Sequence, residues 1–158
     1  MNNIKLANFI VKELVPQSIY NKRGEKSIEC MDVRIVKALD ALRANLRMIG
    51  FDNSFTVNNW HLGGNRQFSG LRTEESSHYS PTSQHAFGRA IDYVTKTPLK
   101  EIHKHIIDNP LLYPEITFIE IDITWGHIDC RFNADGSKLK LWSPKRGFVS
   151  VEQYRAEL

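Results

Sequence analysis

Six histidines stand in the chain: His61, His78, His85, His103, His105 and His127. His103 and His105 fall two apart in a stretch that reads as a helix, so they point to different faces and cannot chelate one ion together. Both are expected on the surface. His61 and His78 lie in or beside a long polar segment, where structural and functional roles are both open. His85 and His127 are different. In "SQHAFGRAIDY" His85 sits at the edge of the polar segment with Asp92 seven positions on, and in "ITWGHIDCRF" His127 opens a strand after a turn at Trp125-Gly126. Gly88 permits close backbone approach, and Ala90 leaves room beside an ion. Two imidazoles and one carboxylate make a three-ligand zinc site that keeps its fourth position for water. The spacing alone fits a structural, hydrogen-bonded His–Asp arrangement equally well.

The elements that must position these groups follow from the apolar pattern. Residues 4–14 read as a short helix, with Leu6, Phe9, Ile10 and Leu14 at helical spacing and Pro16 ending it, followed by a loop at Asn21 to Gly24. Asp32 looks like an N-cap, and Val33, Val36, Leu39, Leu42 and Leu46 form one stripe that runs to Gly50. Phe55 to Trp60 reads as a strand. From Gly63 to Gln84 the chain is polar and irregular, a length that inside a compact domain points to function. Ala86 to Val94 reads as a buried strand, and Pro98 starts an amphipathic helix that ends near Asn109-Pro110. Ile116 to Ile123 and Trp125 to Phe132 are two further strands, with a turn at Ala134-Asp135-Gly136. Neither a repeat nor a linker is visible. The expectation is one α+β domain over residues 1–158, a small mainly antiparallel sheet with helices packed against it.

"SQHAFGRAID" resembles the S-x-H-x-x-G-x-A-x-D signature of the zinc D-alanyl-D-alanine carboxypeptidase and L-alanyl-D-glutamate endopeptidase family, and "WGHID" is similar to its W-x-H segment. The motifs occur in the family's order, and the similarity spans residues 55–132, about half of the chain. The hedgehog signalling domain shares that metal architecture. The resemblance implies a hedgehog-type fold, one zinc ion held by His85, Asp92 and His127, and hydrolysis of a peptide bond in the peptidoglycan stem peptide. It points to a phage-type, endolysin-like member.

Such a peptidase needs a carboxylate that takes a proton from water and passes it to the leaving amine. Many family members carry an acid three positions before the last histidine, where this chain has Thr124. Glu120 and Asp122 are the nearby acids, and period-two alternation places both on one strand face. Glu120, seven before His127 as in some phage-type relatives, is the preferred base, with Asp122 the alternative. Asp129 faces the side of His127 and can instead orient a ligand. Arg72, in "SGLR", resembles a family arginine near the substrate and suits a carboxylate clamp. Ser83, Gln84 and Trp125 are further substrate-side candidates, whereas Arg66 reads equally well as a solvated loop residue. The departure at Thr124 leaves a second expectation, a catalytically silent zinc protein of the same fold that binds the cell wall or serves in a virion.

Composition narrows the partners. Hydrophobic residues make up 41% and charged residues 25%, which excludes a disordered chain or a coiled-coil rod. A net charge of +3 with no long basic block gives no argument for nucleic acid. No run approaches the ~18 apolar residues of a membrane span, and Lys5, Lys12 and Glu13 interrupt the first apolar stretch, unlike a signal peptide. The expectation is a monomer made in the cytoplasm that meets the wall after release or as part of a virion. Cys30 and Cys130, 100 positions apart and outside any CxxC pattern, read as reduced thiols.

Overall fold

The computed structural model describes residues 6–51 and 54–158. Among the described residues four α-helices, α1 (Gln17–Arg23), α2 (Val33–Met48), α3 (Leu99–Asp108) and α4 (Val151–Arg155), accompany a five-stranded sheet. Its strands are β1 (Ala90–Tyr93), β2 (Phe118–Glu120), β3 (Gly126–Asp129), β4 (Lys140–Ser143) and β5 (Gly147–Val149), in the order β1-β3-β2-β4-β5. Only β2 and β4 run parallel. The class is α+β, with a mainly antiparallel sheet.

Period-two alternation gives this sheet two unlike faces. Ile91, Tyr93, Ile119, Ile128 and Leu141 turn one way and join a single apolar cluster with Leu39 and Leu42 of α2, Ile102 and Ile106 of α3, and Tyr154 of α4. The opposite face carries Asp92, His127, Glu120 and Trp142, which the register sets side by side across β1, β3, β2 and β4. Helix α2 forms where its stripe predicts, although Val33, at its first position, is exposed rather than part of the buried face. The Asp32 side chain accepts from the Arg34 amide, and Ile35, Val36, Ala38, Leu39, Leu42 and Leu46 are all buried. Asp32 also ties this helix to the chemistry-bearing segment, since its amide donates to the Gly88 carbonyl and its carboxylate pairs with Arg89. Hydrogen bonding from Arg34 holds the Asp32 carboxyl down at about 2.

Several elements differ from the sequence expectation. The stretch 4–14, whose residues 4 and 5 lie outside the described residues, is helical only over one 3-10 turn, Val11–Glu13. The amides of Ala7 and Asn8 donate instead to the Asp40 side chain of α2. Pro16 precedes a helix rather than ending one: its φ of −64° suits the N-cap of α1, which covers part of the expected loop. Phe55 to Trp60 makes a single bridge, Thr56 to Val94, because the Asn58 amide is taken by Glu13 and that of Asn59 by Arg66. Residues 86–89 are turns closed onto Ser83, Gln84 and His85, so the strand begins at Ala90. Strands β4 and β5 and helix α4 follow the turn at Gly136, where no element was expected. His103 is not a surface residue. It is buried under α4, with Nδ1 2.8 Å from the Tyr154 hydroxyl, while His105 is half-buried against Tyr113.

Candidate metal centre

His85, Asp92 and His127 converge from two elements and one loop. Asp92 on β1 is the direct register partner of His127 on β3, so the pairing of two strands 35 residues apart brings imidazole and carboxylate together. His85 comes from the turns that precede β1. One candidate ligand atom from each residue lies within 4.8 Å of the others, and the group can hold a metal ion. His127 Nδ1 is 2.8 Å from Asp92 Oδ1, and His85 Nε2 is 3.3 Å from Asp92 Oδ2.

The orientation of His85 is set from behind. Its Nδ1 lies 2.9 Å from the Gly70 carbonyl, which can only accept, so Nδ1 carries the hydrogen and Nε2 the lone pair. That Nε2 is buried and makes no hydrogen bond among the described residues. A buried lone pair left unsatisfied and aimed at a carboxylate and a second imidazole is what a cation ligand requires. Gly70 itself is dictated by packing, because a Cβ there would lie 2.2 Å from the Leu14 carbonyl oxygen.

Gly88, at φ +63°, makes the close backbone approach expected of it: a Cβ would sit 2.2 Å from the Cys30 carbonyl oxygen, so it seats the loop on the chain before α2. Gly126 faces the Tyr93 ring, which a Cβ would meet at 2.0 Å. Ala90 is fully buried, opposite Asp129 in register.

The electrostatics follow from burial and partners. Burial alone would raise the Asp92 carboxyl, but the hydrogen bond from His127 and the close approach of the His85 imidazole outweigh it and hold the group well below the ordinary range. Burial opposes the charge on His127, yet hydrogen bonds to Asp129 and Asp92 push it up to about 9. Glu120 is raised, first by burial and further by the charge of Asp92, with His127 opposing.

An open cleft of about 960 Å³ lies over the cluster. Its lining brings together the three candidate ligands with Glu120, Arg72, Ser83 and Trp125, and adds Phe68, His78 and Thr124, of which only His78 and Thr124 were singled out in the sequence. Glu120 pairs in register with His127 on the side opposite Asp92. Arg72 donates from Nη2 to Asp92 Oδ2 at 2.9 Å and from Nε to the Phe68 carbonyl, while Nη1 makes no hydrogen bond among the described residues. The Ser83 hydroxyl accepts from the His85 amide.

Asp122 and Gln84 are not in the lining. Asp122 has a φ of +61°, so the chain leaves the strand there and period-two alternation no longer applies. Its carboxylate accepts from Arg146 Nε at 2.8 Å, and hydrogen bonds from Ser143 and Arg146 lower it. Gln84 contributes its carbonyl to the turns, accepting from the Phe87 and Arg89 amides. Arg66 is anchored to the Val57 carbonyl and Ser69 at the cleft edge, and exposed His78 stands on its rim. His61 packs edge-on against Trp60 outside the lining. Cys30 and Cys130 are free thiols. Among the described residues no helix is long and apolar enough to cross a membrane.

No protein-family model, curated protein or solved structure matches this chain.

Proposed function

We propose that the chain is a zinc metallopeptidase that hydrolyses a peptide bond in the stem peptide of peptidoglycan, of the carboxypeptidase or endopeptidase kind its two motifs resemble. The observation that carries this reading is the row Asp92–His127–Glu120 across three neighbouring strands, with His85 completing the donor set at the cleft floor. Two imidazoles and one carboxylate suit zinc and leave a coordination position open. His85, Asp92 and His127 would hold the ion, which when bound would supply a Lewis acid for the scissile carbonyl and lower the pKa of a bound water.

The chain's own side chains do the rest. Glu120 is placed to accept a proton from the attacking water at a carboxylate oxygen and return it to the leaving nitrogen. Its register position beside His127, half-buried in the cleft lining, supports that role. Arg72 binds a carboxylate of the stem peptide through Nη1, since Nη2 and Nε are committed to Asp92 and Phe68. Trp125 and Phe68 wall the cleft, and Ser83 steadies the His85 turn.

One observation favours a second reading. Thr124 stands in the cleft wall where many relatives of the motif place their acid, which suits a catalytically silent zinc module that binds the wall or serves in a virion. Digestion of purified peptidoglycan, with released peptides and new amino termini read by mass spectrometry, separates the two. Cleavage at one stem-peptide bond is expected. Zinc-loaded protein that releases nothing from several wall chemotypes refutes hydrolysis and leaves the silent module.

A further inference from the structure

The row of residues next to the ligand row is as ordered as the ligands themselves. Asp129, two residues after His127, is wholly buried and pairs in register with Ala90 on one side and Phe118 on the other. Its Oδ2 lies 3.2 Å from His127 Nε2. Arg131 holds the same carboxylate: its Nε donates to Oδ1 at 2.9 Å and Oδ2 at 3.0 Å, its backbone amide donates to Oδ1 at 3.1 Å, and its Nη2 donates to Oδ2. The guanidinium in turn lies 3.5 Å from the centre of the Phe118 ring, and that ring meets His127 edge-on at 6.2 Å. Three side chains of two paired strands, and Arg131 just beyond the end of β3, thus brace one another.

A carboxylate whose two oxygens are both engaged by a guanidinium can only accept. The hydrogen between Asp129 and His127 therefore belongs to Nε2, and Nδ1 is the nitrogen turned toward Asp92 and the cluster. The two candidate histidine ligands are held by opposite nitrogens: His85 by Nδ1 on a backbone carbonyl, His127 by Nε2 on a carboxylate. Resting on the reading that the cluster holds a divalent cation, we infer that Asp129 is a positioning residue. It fixes His127 in the Nε2–H form with Nδ1 presented to the ion, and Arg131, stacked on Phe118, locks Asp129 in that task. A buried carboxylate of purely structural use would pair with Arg131 and leave the ligand's outer nitrogen to water or to backbone.

The test uses metal binding rather than turnover. Wild type, Asp129→Asn and Arg131→Gln are titrated with zinc, and with cobalt(II) as a spectroscopic probe, with folding checked by circular dichroism. Asp129→Asn is expected to bind either ion roughly 10–100-fold more weakly, with an altered cobalt absorption band. Arg131, one-third exposed, offers the second variant should Asp129→Asn fail to fold, and its loss is expected to weaken binding in the same direction. Long-range nitrogen–proton NMR of the zinc-loaded wild type should show His127 protonated at Nε2. Folded variants that bind within twofold of wild type with an unchanged cobalt spectrum, or a His127 protonated at Nδ1 in the zinc form, overturn the inference while the metal site stands. Wild-type protein that takes up neither ion overturns the metal reading itself, and the inference with it.

Discussion

Replacing Glu120 with Gln tests the proposed chemistry at a single group. The side chain is half-buried in the cleft lining and accepts no hydrogen bond among the described residues, so an amide of equal size removes a charge without breaking a contact. Stability should therefore change by no more than about 0.5 kcal/mol, the range for substitutions outside buried networks. None of the three candidate ligands is touched, so zinc should remain at one ion per chain. Losing a general base costs ~10²–10⁴-fold in rate, or about 2.7–5.4 kcal/mol of barrier at ~1.36 kcal/mol per tenfold. Asp122→Asn is the matched control. It breaks an ion pair with Arg146 whose partners are 25% and 34% exposed, which is worth at most about 1 kcal/mol of stability, and it should leave turnover intact. Both variants are assayed on the same peptidoglycan, with product formation followed by mass spectrometry, zinc by elemental analysis and folding by urea titration. A Glu120→Gln protein with full zinc and a rate within threefold of wild type refutes the assignment of the base. A dead, folded Asp122→Asn moves that role to Asp122.

Zinc at 100 times its Kd should add about 2.7 kcal/mol to wild-type stability, raising Tm by roughly 5–11 °C for a chain of this size. His85→Ala combined with His127→Ala should abolish both the shift and the bound ion, and a double variant that keeps full zinc contradicts the ligand set. Burial depresses His103 from 6.5 to about 4, with the charge of Asp122 opposing. The unfolded chain thus gains a proton that the folded one refuses, so this contribution is complete above pH 6.5 and is lost as pH falls toward 4. The loss amounts to up to about 3 kcal/mol at ~1.36 kcal/mol per pKa unit. Urea midpoints across that window should slope less in His103→Gln than in wild type, and identical slopes would exclude His103 as the cause. Gly126→Ala sets a Cβ 2.0 Å from the Tyr93 ring in the fully buried core. It should cost about 1–3 kcal/mol and weaken zinc binding through the displaced strand of His127; a thermal midpoint equal to wild type would show that the ring moves aside freely.

Elements whose signal is local were legible. The stripe from Val33 to Leu46 behind a capping Asp32 could pack only as an amphipathic helix, and α2 is that helix. Pro98 with Leu99, Ile102 and Ile106 marked α3 in the same way. The residue types and order of His85, Asp92 and His127 named a donor set, and the polar stretch before His85 does line the cleft over it. Local signals failed where a distant segment claimed the backbone. Asp40 of α2 takes the amides of Ala7 and Asn8, Glu13 takes that of Asn58, and the expected helix and strand there do not form. Asp122 escaped for a related reason, since alternation assumes extended backbone and its positive φ ends it.

What the amino-acid sequence determined by itself was a set of side chains with matched chemistry and the short-range periodicities that carry them. Only the tertiary structure decided which of them meet. Pairing β1 with β3 and β3 with β2 in one particular register puts Asp92 and Glu120 on either side of His127, and a slip of one residue would send His127 into the apolar face. The same packing buried His103 under α4, presented the Gly70 carbonyl to His85, and stacked Arg131 on Phe118 behind Asp129. Helix periodicity is set by neighbours within a turn and is therefore written in adjacent residues. Register and burial arise from contacts between segments tens of residues apart, whose strength comes only from the whole core closing at once.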